Sequence, residues 1–201
     1  MSDDTQRSNG NDEHEEHSQG HGDHEEHSHD HGDHGHYHHD ISELSFAVLT
    51  VSSSRGTEGD TAGDAIIEAV EDAGHTVSVR ELVNDEYDTV QDTIDRFANR
   101  GDTDCVITTG GTGVTPDDVT VEAVEPIFDK RLPGFGELFR SLSREEIGTR
   151  VVGTRATAGI ADGAPVFCLP GSENAVRLGT EAIILEEASH LAGLARRGDD
   201  E

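Results

Sequence analysis

Apolar side chains are distributed along this chain in two different ways, and the change falls near residue 40. Residues 1–40 hold almost no aliphatic side chain, whereas from Leu44 onward short continuous apolar runs alternate with stretches in which apolar residues return every three or four positions. Phe46-Ala47-Val48-Leu49-Thr50-Val51 is the first run and has the length of a strand. Asp60 then precedes Ala62, Ala65, Ile66, Ala69, Val70 and Ala73 at helical spacing, closed by Gly74. The same reading predicts a strand over His75–Val83, a helix presenting Val90, Ile94 and Phe97 and ending at Gly101, a strand at Asp104-Cys105-Val106-Ile107, and a helix after Asp117-Asp118. A further helix runs from Phe135 through Leu138, Phe139 and Leu142. Arg155–Ile160 and Pro165–Leu169 flank the turn dipeptide Asp162-Gly163 and predict a β-hairpin, and a terminal helix extends from Glu173 to Leu194. Repeated strand–helix units predict an α/β fold, a mostly parallel sheet covered by helices on both faces. The chain divides into a disordered tail, residues 1–40, and one α/β domain, residues 41–201.

Charge changes the picture of the surface. Against 43 Asp and Glu stand 14 Lys and Arg, a net charge of −29, of which −11 falls in residues 1–40 and −18 in the rest. Lys130 is the single lysine. Such an acidic, aromatic-poor chain suits concentrated salt, where a Debye length of about 3 Å at 1 M screens self-repulsion; an ordinary acidic protein is the other reading. No basic stripe exists, which excludes a broad nucleic-acid surface. No apolar run approaches the ~20 residues of a membrane span, so neither signal peptide nor anchor is expected, no membrane partner follows, and a cytoplasmic location does. Cys105 and Cys168 each sit inside an apolar run and read as buried structural thiols rather than a disulfide or metal pair.

The tail carries eleven of the thirteen histidines: His14, His17, His21, His24, His27, His29, His31, His34, His36, His38 and His39. A ten-residue repeat organises them, with His14-Glu15-Glu16-His17-Ser18 returning as His24-Glu25-Glu26-His27-Ser28. Too few apolar groups are present to offset the entropy of ordering, hence disorder. Imidazoles interleaved with carboxylates could wrap Ni²⁺, Zn²⁺ or Cu²⁺; a solvated acidic leader grown by repeat expansion is the alternative.

Candidate chemistry concentrates where strands of such a sheet end. Four loops reach one rim: Ser52-Ser53-Ser54-Arg55, Asn84-Asp85-Glu86, Thr109-Gly110-Gly111-Thr112-Gly113 and Pro170-Gly171-Ser172. Three glycines within four residues let backbone N–H groups approach a phosphate, and the threonine hydroxyls add donors. No Gly-Lys-Ser/Thr follows, so this is not a Walker loop, and phosphate charge would have to be met by amides, Mg²⁺ and arginine, with Arg140, Arg144, Arg150 and Arg155 as candidates. Asp118, with Asp117 beside it, and Asp85 offer the carboxylate oxygens that Mg²⁺ prefers. A structural turn for the glycines and helix capping for the aspartates are the competing readings. His75 and His190 read as packing or surface residues, and Phe135, Leu138, Phe139 and Leu142 as core or subunit-interface residues.

Taken together the motifs resemble the molybdopterin adenylyltransferase family, the MogA/MoaB type also found as the G domain of gephyrin. The residues that carry the resemblance are Leu49-Thr50-Val51-Ser52 with Asp60-Thr61-Ala62-Gly63, Thr108–Gly113 with Thr115-Pro116-Asp117-Asp118-Val119-Thr120, Leu132–Arg140, Ser143–Thr149, Thr154–Gly159 and Leu169–Val176, in order over residues 45–195. The resemblance implies a three-layer αβα domain, a molybdopterin-binding MogA-like fold, assembling as a homotrimer or homohexamer, with room for contacts to other cofactor-assembly proteins. It implies a step in molybdenum or tungsten cofactor synthesis in which molybdopterin is the substrate and Mg²⁺ and ATP are required: the terminal phosphate of molybdopterin attacks the α-phosphate of ATP and pyrophosphate leaves. Asp85 and Asp118 would be the catalytic residues and hold Mg²⁺; Ser52, Thr109, Gly110, Gly111, Thr112, Gly113, Pro170, Gly171 and Ser172 would line the substrates. Three positions depart from the family pattern: Ser53 stands where an aspartate is usual, Ala62 where a serine is usual, and Glu173, at a helix start, where a proline often follows Pro-Gly-Ser.

Other functions fit the same residues. Molybdenum-insertion proteins and a family of nucleotide pyrophosphatases share this domain but carry extra domains for which this chain has no room. A non-catalytic molybdopterin-binding scaffold, with the His-rich tail as a metal-binding appendage, is the alternative within the family; metal storage or delivery through the tail is the alternative outside it.

Overall fold

The structure is a computed structural model that describes residues 42–53 and 59–196; the expectations for the tail, and for Ser54 and Arg55, lie outside the described residues. In chain order the elements are β1 (Ser45–Val51), α1 (Thr61–Asp72), β2 (Thr76–Val83), α2 (Tyr87–Ala98), β3 (Cys105–Thr109), α3 (Thr120–Val124), β4 (Lys130–Arg131), α4 (Pro133–Ile147), β5 (Thr157–Ala161), β6 (Ala164–Leu169), α5 (Glu173–Gly179) and α6 (Leu185–Ala195). The six strands pair in the order β2-β1-β3-β6-β5-β4. β1, β2, β3 and β6 run parallel, and β5 and β4 are antiparallel additions at one side.

Alternation along the strands builds two cores. Phe46 and Val48 of β1 face one side with Ile107, Phe167 and the apolar stripes of α1, α4, α5 and α6; Ala47 and Leu49 face the other with Val106, Cys168 and Val90, Ile94 and Phe97 of α2. The result is the three-layer α/β arrangement. Both cysteines are buried and free, as their apolar surroundings predict. Burial pushes the Cys105 thiol well up and that of Cys168 to about 12, which keeps both protonated.

The β5–β6 hairpin forms around Asp162-Gly163, both with positive φ (47° and 75°), the conformation that short hairpin loops require. Asn99 Nδ2 donates to Asp162 Oδ2 at 2.6 Å, and the Asp162 amide donates to Asp129. His75 is a packing residue, its ring 5.6 Å from that of Phe46 and its Nδ1 accepting from the Leu44 amide.

Two features differ from the periodicity reading. The terminal helix is not uniform: a π-turn over Thr180–Ile184 separates α5 from α6. The strand β4 is only two residues long, too short for alternation to register. Phe128, just before β4, packs its ring where a side chain at Gly159 would stand, so β5 and this short strand fit only with glycine there. Among the described residues no helix is long and apolar enough to cross a membrane.

Candidate functional site at the strand ends

Because β2, β1, β3 and β6 are parallel neighbours, their C-terminal ends share one edge, and the four predicted loops leave from it. Hydrogen bonds draw the exits together. The Ser52 amide donates to Val83 O at 3.0 Å, joining the ends of β1 and β2, and the Gly110 amide donates to Leu169 O at 3.0 Å, joining those of β3 and β6. Thr109 Oγ1 donates to Pro170 O at 3.0 Å. Gly110 has φ 95°, and a Cβ there would overlap the Val51 carbonyl, so a side chain is barred on both grounds.

The rest of the glycine loop is equally tight. Gly111, at φ 65°, leaves space that Thr120 fills, while Thr120 donates to Gly110 O from its hydroxyl and to Gly111 O from its amide. Gly113 lies where a Cβ would stand 2.7 Å from Asp118 Oδ2. A structural turn therefore accounts for all three glycines. The amides of Gly111 and Thr112 have no acceptor among the described residues, and the Thr112 hydroxyl is buried without a hydrogen-bond partner. Thr109 and Ser172 are committed internally, Ser172 as the cap of α5 accepting from the Ala175 amide. The Thr109 hydroxyl hydrogen is thereby used, whereas Ser172, an acceptor in its cap bond, keeps its hydroxyl hydrogen to donate at the rim.

Neither acidic candidate is a helix cap. The N-cap of α2 is Glu86 and that of α3 is Val119, and both helices start without a side-chain cap. Asp85 is half-buried in the turn after β2 and makes no ion pair or side-chain hydrogen bond among the described residues. Asp118 accepts from the amide and hydroxyl of Thr115, each at 2.7 Å and both on Oδ2, which leaves Oδ1 without these donors. Burial raises the pKa of Asp118, but the Thr115 bonds, the Gly113 amide and nearby Arg155 outweigh it and hold the carboxyl below the ordinary range.

A cavity of about 160 Å³ opens at this edge, with Thr50, Ser52, Asp60, Thr61, Thr109 and Gly171 in its wall. Asp85 and Asp118 stand outside the wall: Asp85 follows the wall residue Leu82, and Asp118 adjoins the loop that begins at Thr109. Helical spacing places Asp60 at the start of α1. It does cap α1, through the Gly63 amide at 2.9 Å, but it also accepts from Thr50 Oγ1 at 2.8 Å and pairs with Arg80 Nη2 at 2.7 Å. Burial raises its pKa, and the Arg80, Gly63 and Thr50 bonds reverse this and leave it lowered. Gly63 was the available signal, a glycine inside a helical pattern; a Cβ there would collide with Asp60, Thr50 and Arg80.

The arginine candidates are placed elsewhere. Arg155 donates from Nε to Gly113 O at 2.6 Å and from Nη2 to Asp118 O at 3.0 Å, and pairs with Glu122. It clamps the glycine loop from behind. Arg140 donates to Ala156 O, and Arg144 and Arg150 are exposed. None of these four lines the strand-end cavity. Among the described residues no three His, Cys, Asp or Glu gather as a metal cluster.

Residues 47–190 match the family model described as a probable molybdopterin binding domain. The chain is 42% identical over 151 residues to molybdenum cofactor biosynthesis protein B of Bacillus subtilis strain 168, covering 75% of this chain and 89% of that protein. Among solved structures it is similar to a molybdenum cofactor biosynthesis protein B (TM-score 0.74, 39% identity, 77% of this chain and 97% of that one). It is also similar to the tungsten cofactor synthesizing protein MoaB from Pyrococcus furiosus (TM-score 0.70, 41% identity, 78% and 99%). By its sequence over most of its length, and by the sheet order and strand-end loops just described, this chain belongs to the MoaB/MogA family of molybdopterin-binding domains.

Proposed function

We propose that this protein acts in molybdenum or tungsten cofactor biosynthesis by adenylylating molybdopterin. In the reaction a terminal phosphate oxygen of molybdopterin bonds to the α-phosphorus of ATP, the bond from that phosphorus to the bridging oxygen breaks, and pyrophosphate leaves with its electron pair. The observation that carries the reading is the pairing of an unpartnered carboxylate, Asp85, with a preorganised loop whose Gly111 and Thr112 amides have no internal acceptor, both at one sheet edge.

Two anions must meet, so the site has to lower charge repulsion and fix an in-line approach. The residues present fit Mg²⁺: this cation binds through one or two carboxylates, completing its shell with water and substrate phosphate. Asp85 and Oδ1 of Asp118 would hold it, and when bound it would neutralise phosphate charge. The Gly111 and Thr112 amides would donate to phosphate oxygens, Ser52 and Gly171 would bound the pocket, and Arg155 would keep the loop in register. Asp85 and Asp118 position substrate and cation; neither needs to move a proton.

Purified protein incubated with molybdopterin and Mg-ATP in concentrated salt is expected to release pyrophosphate and form adenylylated pterin in equal amounts. Binding of molybdopterin with no pyrophosphate release would overturn adenylyl transfer in favour of a scaffold. Removing residues 1–40 is expected to leave turnover intact, which separates the enzyme from a metal carrier acting through the tail.

A further inference from the structure

In a chain so rich in acid, a lone arginine stands out. Of the ten described arginines only Arg140, Arg144 and Arg150 lack a carboxylate partner, and all three fall in α4 and the turn after it. Arg144 and Arg150 are exposed, as solvated arginines usually are, but Arg140 is half-buried and seated. A Cβ at Gly136 would lie 2.9 and 3.2 Å from its two terminal nitrogens, so the guanidinium rests over a glycine that makes room for it. Its one hydrogen bond, Nη1 to Ala156 O at 3.3 Å, uses a single donor of five.

Arg140 opens onto a cleft of about 500 Å³ distinct from the strand-end cavity, shared with Arg131, Arg155, Thr154 and Thr157. The first turn of the fifteen-residue helix α4 forms another wall through Pro133 and Gly136, and that helix starts without a side-chain cap. Two glutamates also line the cleft, Glu137 and the Arg131 partner Glu125, so three cationic side chains face two acidic ones in a domain that is otherwise strongly negative.

We infer that this cleft is a second oxyanion site, built for a phosphate or pyrophosphate group held by Arg140 and Arg131 with the hydroxyls of Thr154 and Thr157. A guanidinium with open donors, hydroxyls and an uncapped helix end are what such a group recognises. Arg155 is the wall shared with the glycine loop, since the same guanidinium holds the carbonyls of Gly113 and Asp118. An anion in the cleft therefore bears on the strand-end site through one residue.

Calorimetric titration of the full-length protein at fixed potassium chloride tests this without molybdopterin, so the outcome is independent of adenylyl transfer. Pyrophosphate is expected to bind saturably, at least about tenfold more weakly to Arg140→Gln and to Arg131→Gln, with Arg140→Lys intermediate. Asp85→Asn is expected to leave that affinity unchanged. Parallel titrations with inorganic phosphate and with ATP distinguish a free anion from a nucleotide tail; Arg140-dependent binding of any of the three supports the site, and the tightest names its source. Absence of saturable binding, binding indifferent to both arginine variants while their thermal melts match the parent, or binding lost in Asp85→Asn would overturn it.

Discussion

Asp60 and Asp85 leave the same edge of the sheet, one at the head of α1 and the other between β2 and α2, and the fold treats them in opposite ways. Asp60 is 8% exposed and saturated, with Thr50, the Gly63 amide and Arg80 all directed at its carboxylate. Asp85 is half-buried with no such donor among the described residues. A charge withdrawn from water has to be satisfied or it destabilises the fold, so Asp60 is explained by the structure alone. Asp85 is not, and a carboxylate left open at a strand-end rim is where a cation or a substrate finds a partner. Asp118 lies between the two, with both Thr115 donors on Oδ2 and neither on Oδ1. The contrast separates residues that build the rim from residues that the rim presents.

The sharpest way to break this division is through the glycine loop, which belongs to the building side. Gly110→Ala puts a side chain at φ 95° and into the Val51 carbonyl. Backbone strain and overpacking together predict a loss of about 4 kcal/mol, read by chemical denaturation in concentrated salt; a loss under ~1 kcal/mol would show that the loop relaxes freely.

Asp60→Ala comes next, expected to cost about 3 kcal/mol because it strands the Gly63 amide and the Thr50 hydroxyl and removes one of the two partners of Arg80. A near-neutral result would mean that solvent replaces those bonds.

The smallest effect is a pH dependence. The folded-state pKa of Asp60 lies below its ordinary value of 3.8, so its contribution is complete above that value and disappears as pH falls through the lowered one. The stability gap between the parent and Asp60→Asn should therefore be constant near neutrality and narrow below about pH 4. A gap that widens on acidification would reverse the sign assigned to this carboxyl.

Much of this architecture is legible in the chain because it is local. Phe46–Val51 and Val166–Leu169 read as strands from unbroken apolar runs, α1 and α2 from their three-to-four spacing, and the hairpin from Asp162-Gly163. The rim followed too, since parallel strands bring their exits to one edge whatever the side chains do. What stayed hidden depends on register between distant segments. Arg80 reaches Asp60 only because β2 lies beside β1, and Arg155 reaches the glycine loop only because β5 returns the chain past it. Arginine clustering along the sequence pointed to the triphosphate, whereas in space Arg140 and Arg155 turn to another cleft. The π-turn at Thr180–Ile184 leaves the apolar spacing of the last helix almost unchanged, and periodicity passes over it.

Whether Asp85 serves the reaction and not the fold is read from one paired measurement: pyrophosphate release and thermal melting, recorded side by side for the parent and Asp85→Asn with molybdopterin and Mg-ATP in concentrated salt. For Asp85→Asn the melt is expected within a degree or two of the parent, a change of about 0.5 kcal/mol, together with turnover lower by about 10²–10³-fold. Unchanged turnover, or a loss of turnover matched by a large fall in melting temperature, would contradict it.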